Sequence, residues 1–168
     1  MTVTPHLQKI VPHFWYSHQA EEAARFYATV FPDSHVDRVT TLPADTPSGP
    51  AGSVAIVEFT LCGQAFVAFA AGPHQEFNDA ISLMVLCDSQ EEIDRYWNAL
   101  SEHGGKPQAC GWIIDRWGLR WQIAPAALQR MMASPDRAAA ARAAKEFLTH
   151  VKLDLAKIEA AFKGTDAR

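Results

Sequence analysis

The chain has 168 residues, 48% of them hydrophobic and 20% charged, with a formal net charge of −4. This suits one globular domain or two small packed halves and excludes a disordered or fibrous chain, while the absence of any basic run excludes nucleic acid and an anionic membrane surface as partners. Cys62, Cys87 and Cys110 lack CxxC spacing, the start MTVTPHLQK lacks the pattern of a signal peptide, and no run of ~18 apolar residues occurs, so a reducing cytoplasm is expected, without disulfides, zinc knuckles or a membrane span.

In chain order, the β-branched and aromatic run Ile10 to Tyr16 predicts a strand, and Ser17 with Glu21 and Glu22 predicts a helix start. That helix runs to about Phe31, where Pro32-Asp33 stops it, and Ala20, Ala23, Ala24, Tyr27 and Phe31 give it one apolar face. A weaker strand spans His35 to Leu42, the Pro/Gly-rich stretch Leu42 to Gly52 is a loop, and Val57 to Phe69 is a hairpin turning at Gly63. After the turn-like Ala71 to His74 the order repeats. A strand covers Ala80 to Cys87, a helix covers Ser89 to His103 with Gly104-Gly105 as its stop, and Pro107 to Trp121 holds the remaining strands.

The second hairpin, Cys110 to Pro125, has Asp115 and Gly118 at the first and last positions of a four-residue turn, where those residues are favoured. Its Gly118 stands 55 residues after Gly63, whereas the helix segment Gln19 to Tyr27 aligns with Ser89 to Trp97 at an offset of 70. A longer loop in the first copy reconciles the offsets, so the chain reads as an internal duplication. The expected organisation is a βαβββ module over residues 9–72, a second over 73–125 and a helical extension over 126–164. In the extension, Ser134-Pro135-Asp136 marks a break and restart, and Phe147, Val151, Leu155, Ile158 and Phe162 form an apolar stripe at helical spacing.

Gln19 to Ala23, Phe26-Tyr27, Gly72 to His74, Phe77 to Ala80, Cys110 to Trp112 and Trp121-Gln122 occur in one line along the chain. Together they resemble the PhnB-like branch, also labelled demethylubiquinone methyltransferase-like, of the vicinal oxygen chelate superfamily, which includes glyoxalases, extradiol dioxygenases and bleomycin-resistance proteins. The resemblance implies an α+β fold in which tandem βαβββ modules form curved mixed sheets around a cavity, with helices outside. It does not imply a reaction.

In metal-dependent members of that superfamily the ligands sit on the first and last strands of each module. Counting from the aromatic pair of each helix gives Pro12 and Ser82, and counting from each hairpin glycine gives Val67 and Gln122. These four cannot supply the converging N/O donors that a divalent ion needs, so no metal and no other cofactor is expected. A one-residue register error would nominate His13 instead, with neighbours that still give a single competent ligand.

Strand alternation then places Phe14, Tyr16 and Met84 on the cavity face, along with Arg120. A two-residue hairpin loop would set Ile113 opposite Arg120 and make Glu58 its repeat mate. Glu58 and Arg120 read either as inward-pointing binding groups or as a solvated strand-edge pair, and Phe14 and Tyr16 either as cavity walls or as core. The same count puts His13, Trp112 and Trp121 on the helix side. His74, beside Phe77 and Asn78 in the connection between modules, reads as a binding or proton-transfer group at a cavity rim or as an exposed loop residue. Cys110 reads as a nucleophile or an inert thiol, with no base beside it in sequence.

The candidate ligand-binding set is therefore Phe14, Tyr16, Glu58, His74, Asn78, Ser82, Arg120 and Gln122, with no catalytic residue assigned. It leaves two main functions open, a metal-free small-molecule protein or enzyme and a sequestering module that binds a drug-like compound unchanged. The methyltransferase of the branch label finds less support, because none of the nine glycines forms a G-x-G cluster after a strand. Relatives of this fold commonly pair modules, so a homodimer is expected.

Overall fold

A computed structural model describes residues 8–73 and 76–165. The chain divides into two compact units, one ending at Glu76 and the other beginning at Phe77. Both are α+β and contain a four-stranded mixed sheet.

The first unit runs β1 (His13–Tyr16), α1 (Ala20–Val30), β2 (His35–Thr41), β3 (Ala55–Leu61) and β4 (Gln64–Ala70). Its sheet order is β1-β4-β3-β2, with β1 parallel to β4 and the other pairs antiparallel. Ala20, Ala23, Ala24 and Tyr27 bury the apolar face of α1, and alternation in the strands sets Val57, Phe59, Leu61, Phe66 and Ala68 on the buried side. Burying a side chain the size of Val57 or Phe59 contributes about 1.5–3 kcal/mol. The hairpin between β3 and β4 has a two-residue loop, Cys62-Gly63, with both φ angles positive (47° and 75°), as a type I′ turn requires.

The second unit repeats that topology as β5 (Leu83–Cys87), α2 (Gln90–Glu102), β6 (Lys106–Pro107), β7 (Trp112–Ile114) and β8 (Arg120–Pro125), in the order β5-β8-β7-β6. Ser89 caps α2 by accepting from the Glu92 N–H (3.3 Å), and Glu92 in turn accepts from the Asp88 N–H (2.8 Å). Ile93, Tyr96, Trp97 and Leu100 of α2 are buried, as are Ile113, Trp121 and Ile123 of the sheet.

The second hairpin differs from the two-residue loop expected of it. Asp115 N–H donates to the Leu119 carbonyl and Gly118 N–H to the Asp115 carbonyl, both at 3.0 Å, with Gly118 at φ 92°. This is a three-residue loop, a turn followed by a left-handed glycine. The register moves by one, so Ile114 opposes Arg120, Ile113 opposes Trp121, and Trp112 opposes Gln122. The buried Asp115 carboxylate fixes the loop: Oδ1 accepts from the N–H groups of Trp117 (2.9 Å) and Leu119 (3.0 Å), and Oδ2 from Trp121 Nε1 (2.9 Å).

The extension is three helices, α3 (Ala126–Met132), α4 (Arg137–Phe147) and α5 (Leu155–Lys163), and it belongs to the second unit. Asp136 and Asp154 cap α4 and α5 by accepting from Ala139 N–H (2.9 Å) and Lys157 N–H (3.1 Å). The stripe expected from Phe147 to Phe162 is broken between the two helices. Val151 is exposed in the connection, and Leu153, off the helical spacing, is the residue that packs into the cluster with Ala124, Met131, Ala143 and Ile158.

Candidate functional site

Each sheet has one face covered by its helix and one open face, and residues paired in register share a face. In the first unit the open face carries the row His13, Val67, Glu58 and Arg38, followed by Trp15, Phe69, Ile56 and Thr40. The His13 ring meets Phe69 edge-on at 4.3 Å between centroids, and its partial burial there lowers the imidazole pKa. Glu58 accepts from both Nε (3.0 Å) and Nη2 (2.5 Å) of Arg38, a bidentate pair across neighbouring strands.

In the second unit the matching row is Met84, Gln122 and Trp112. Gln122 Nε2 donates to Ser82 Oγ at 2.7 Å. Arg120, two residues before Gln122 in β8, donates through Nε to Asp79 Oδ1 (2.8 Å) and through Nη1 to the Gly118 carbonyl (2.5 Å).

A pocket of about 800 Å³ opens over this row. Met84, Trp112 and Gln122 form its sheet side, and Leu128, Met132 and Phe147 are among the residues of α3 and α4 that form the other. Cys110, in a left-handed conformation (φ 60°) just before β7, lies at its edge, with Sγ 3.9 Å from the Leu148 carbonyl.

The structure brings Ser82 and Gln122 together and sets Gln122 against the pocket. It places Arg120 at the hairpin and Asp79. Glu58 lies on the first unit's open face with Arg38, and Asn78 is exposed, its Oδ1 accepting from Ala80 N–H (2.9 Å) in a local turn. His74 lies outside the described residues.

Phe14 and Tyr16 fall on the other side from the one expected. Both are buried on the helix-covered face, Phe14 stacked with Phe66 and the Tyr16 hydroxyl 3.3 Å from that of Tyr27. The count from the helix fails because three residues separate β1 from α1 and only two separate β5 from α2. The additional position includes Gln19, in a left-handed conformation at φ 63°. One residue is enough to exchange the faces of a strand. His13 is accordingly on the open face, not the helix side. Trp112 corrects in the same direction through the longer hairpin loop, while Trp121 is in the core.

In register, Met84 opposite Gln122 is the counterpart of His13 opposite Val67. The first- and last-strand positions are therefore His13, Val67, Met84 and Gln122: one imidazole, one amide, one thioether and one side chain without a donor. This set does not fit a divalent ion that needs three or four N/O donors. The neighbouring carboxylate, Glu58, is taken up by Arg38. Among the described residues no group of three or more His, Cys, Asp or Glu could hold a metal ion.

Cys87 is buried, and desolvation, with Glu92 and Asp88 adding to it, pushes its thiol up to about 12. Leu128 and Met132 carry no signal in the sequence that marks them as pocket residues; Phe147 stands out only as a member of the apolar stripe, and Trp112 lies in the Cys110 to Trp112 motif, but the alternation count puts it on the helix side.

Among curated proteins none matches the chain. A solved structure described as a putative 3-demethylubiquinone-9 3-methyltransferase, PhnB protein, from Bacillus cereus is similar, with 29% identity and a TM-score of 0.60, over 70% of this chain and 98% of that one. Protein PA1353 from Pseudomonas aeruginosa (21% identity, TM-score 0.55, 70% and 98% covered) shares the fold. So does the fosfomycin resistance protein FosX from Mesorhizobium loti (13% identity, TM-score 0.55, 76% and 98% covered). Residues 8–124 match the family described as 3-demethylubiquinone-9 3-methyltransferase. With the repeated βαβββ topology, this match establishes that the chain belongs to that PhnB-like family of the vicinal oxygen chelate superfamily.

Proposed function

We propose that the protein binds a small organic molecule on the open face of its second sheet, without a resident metal. The observation that carries this is the row Met84, Gln122 and Trp112 facing a pocket of about 800 Å³, a volume in the ~300–1,000 Å³ range of small-molecule sites. An aromatic wall with a few placed polar groups is the usual makeup of such a site. The donor set at the four superfamily positions supports the metal-free part of the reading. Glu58 and Arg120, each held in an ion pair, act as braces of their strands in this reading and do not meet the ligand.

Sequestration of a drug-like compound and chemical conversion of it both begin with this binding step, and turnover of a bound compound separates them. The methyl transfer in the family description has no support in the residues of this chain. A homodimer belongs to this reading, and sedimentation that shows only monomer at micromolar concentration removes that part. A cytoplasmic setting also belongs to it; no helix among the described residues is long and apolar enough to cross a membrane.

The test is a thermal-shift screen with a panel of small organic compounds, on protein purified without chelator or affinity-tag metal and assayed for metal content. A ligand at 100 times its dissociation constant adds about 2.7 kcal/mol. Hits whose stabilisation disappears in Gln122→Ala support the reading. Near-stoichiometric metal, lost together with stability on chelation, overturns it.

A further inference from the structure

We propose that the C-terminal helices form the ligand-contacting wall of the second unit's pocket and select a neutral, largely apolar molecule with few hydrogen-bonding groups. This inference rests on the proposed binding at the open sheet face. The helices lie beyond residues 8–124, outside the part of the chain that the family match covers.

The extension is fixed in place by bonds of several kinds. Cys110 and Gly111 donate their N–H groups to the carbonyls of His150 (2.7 Å) and Val151 (2.8 Å). The Gln90 amide holds the connection from the other side, donating to the Leu153 carbonyl (3.2 Å) and accepting from Leu155 N–H (2.8 Å). Lys152 pairs with Asp94 at 2.6 Å and, with the Gln90 amide, holds that carboxyl below its usual range. Gly111 is packed so closely that a Cβ there would lie 2.7 Å from the Ile123 carbonyl and 3.1 Å from the Leu153 side chain. These contacts anchor the connection between α4 and α5, and α3, which follows β8 directly, lies beside the open face, where Gln129 Nε2 approaches Met84 Sδ at 3.6 Å.

The chemistry of the lining selects the ligand. Among the described residues, no carboxylate, ammonium, guanidinium or imidazole lines the pocket. An ionised ligand would give up its hydration there without a countercharge, a loss that confined apolar surroundings do not repay. Leu128, Met132, Phe147 and Leu148 offer apolar and polarisable surface, and the two methionines, Met84 and Met132, adapt readily to different shapes. The polar groups of the lining are uncharged: the Cys110 thiol, the Trp112 indole, the Gln129 amide, whose Nε2 lies against Met84 Sδ, and, on the sheet side, the Gln122 amide. One end of the Gln122 amide donates to Ser82, and the other accepts no hydrogen bond among the described residues, leaving it for a ligand hydroxyl or N–H.

The test uses the full chain and two dyes, neutral Nile red and anionic anilinonaphthalene sulfonate, titrated while emission is followed. Leu148 is 60% exposed, so Leu148→Asp places a charge at the pocket without removing a core side chain; Val151→Asp, at a 51% exposed residue of the same connection that is not part of the lining, is the control. The expected result is saturable Nile red binding, weakened about tenfold or more by Leu148→Asp and left unchanged by Val151→Asp, with the anionic dye about tenfold weaker. Binding weakened by Gln122→Ala but not by Leu148→Asp overturns the wall and leaves the open-face reading standing. Absence of saturable binding, or binding indifferent to both substitutions, overturns both. Tighter binding of the anionic dye overturns the assignment of ligand class. A change in sedimentation on Leu148→Asp overturns the wall as well, because this face is then an interface between copies.

Discussion

Replacing Asp115 with alanine removes in one step the acceptor of three N–H groups, those of Trp117, Leu119 and the Trp121 indole. The residue is only 4% exposed, so water cannot take over all three bonds. A hydrogen bond to a charged group contributes ~1.5–3 kcal/mol net, and each buried donor left unsatisfied costs ~1–3 kcal/mol. The Trp117 N–H is part-buried, which leaves Leu119 N–H and the Trp121 indole as the two costly orphans. Because such contributions overlap, the expected loss for Asp115→Ala is about 3–5 kcal/mol, a large share of a typical domain stability of ~5–15 kcal/mol. Asp115→Asn keeps an oxygen for the two backbone donors but turns an NH2 group towards the indole N–H, donor against donor. Its loss is expected to be smaller, at ~1–3 kcal/mol. Urea unfolding, followed by circular dichroism and tryptophan emission, measures both variants. An alanine variant within ~1 kcal/mol of the parent, or an asparagine variant equal to it, refutes the assignment of the carboxylate as the clamp of this hairpin. The same clamp sets the β7 register that turns Trp112 to the pocket. Nile red affinity is therefore expected to fall in Asp115→Ala at temperatures where the protein is still folded.

Three further outcomes follow from the geometry. With its thiol pushed up to about 12, Cys87 is expected to resist iodoacetamide at pH 8 in the folded protein, where only about one molecule in ten thousand carries the thiolate, while exposed Cys62 reacts; peptide mapping that finds Cys87 alkylated at a similar rate contradicts its burial. Gly111→Ala puts a Cβ at φ 80° and 2.7 Å from a backbone oxygen, so faster amide exchange across the 148–155 connection is expected, and unchanged exchange rates would show that the close packing at Gly111 does not hold the extension. His13 should titrate below the ordinary histidine value in an NMR titration. Because its folded pKa is depressed, its contribution to stability is present above the unfolded pKa near ~6.5 and is lost as pH falls through that value towards the folded one; a measured value above the unfolded one refutes the contact with Phe69 as drawn.

Much of the fold was legible because the chain states it twice. The helix starts with paired glutamates, the hairpin glycines and the apolar periodicities are local signals, and repetition at two offsets ties them into modules. Facing was less legible, since it depends on counts of one residue. Alternation correctly separates the two sides of β1, but which side meets α1 depends on the length of the connection, and Gln19 in a left-handed conformation gives no signal that glycine would have given. Arg38 as the partner of Glu58 was out of reach for another reason: their register follows an irregularity between Val36 and Arg38 that only the paired strands reveal. The pocket wall was hidden by the extension's broken stripe, where Leu153 and not Val151 turns inward because the connection is tied down by backbone bonds to Cys110 and Gly111.

The same single-residue differences explain why the two copies of one module are no longer equivalent. Glu58 opposes Val67 on the first open face, and Trp112 opposes Gln122 on the second, so the hairpin lengthened by one residue sets an indole where its counterpart has a carboxylate. The first face keeps an imidazole and, across neighbouring strands, a carboxylate–guanidinium pair, which needs water or a charged partner beside it. The second face carries a thioether, an amide and an indole, groups that tolerate removal of water. An apolar helical wall can cover only the second kind without leaving a buried charge. The extension follows β8 directly and belongs to the second unit, and its apolar wall makes a pocket over a sheet row that carries no charge.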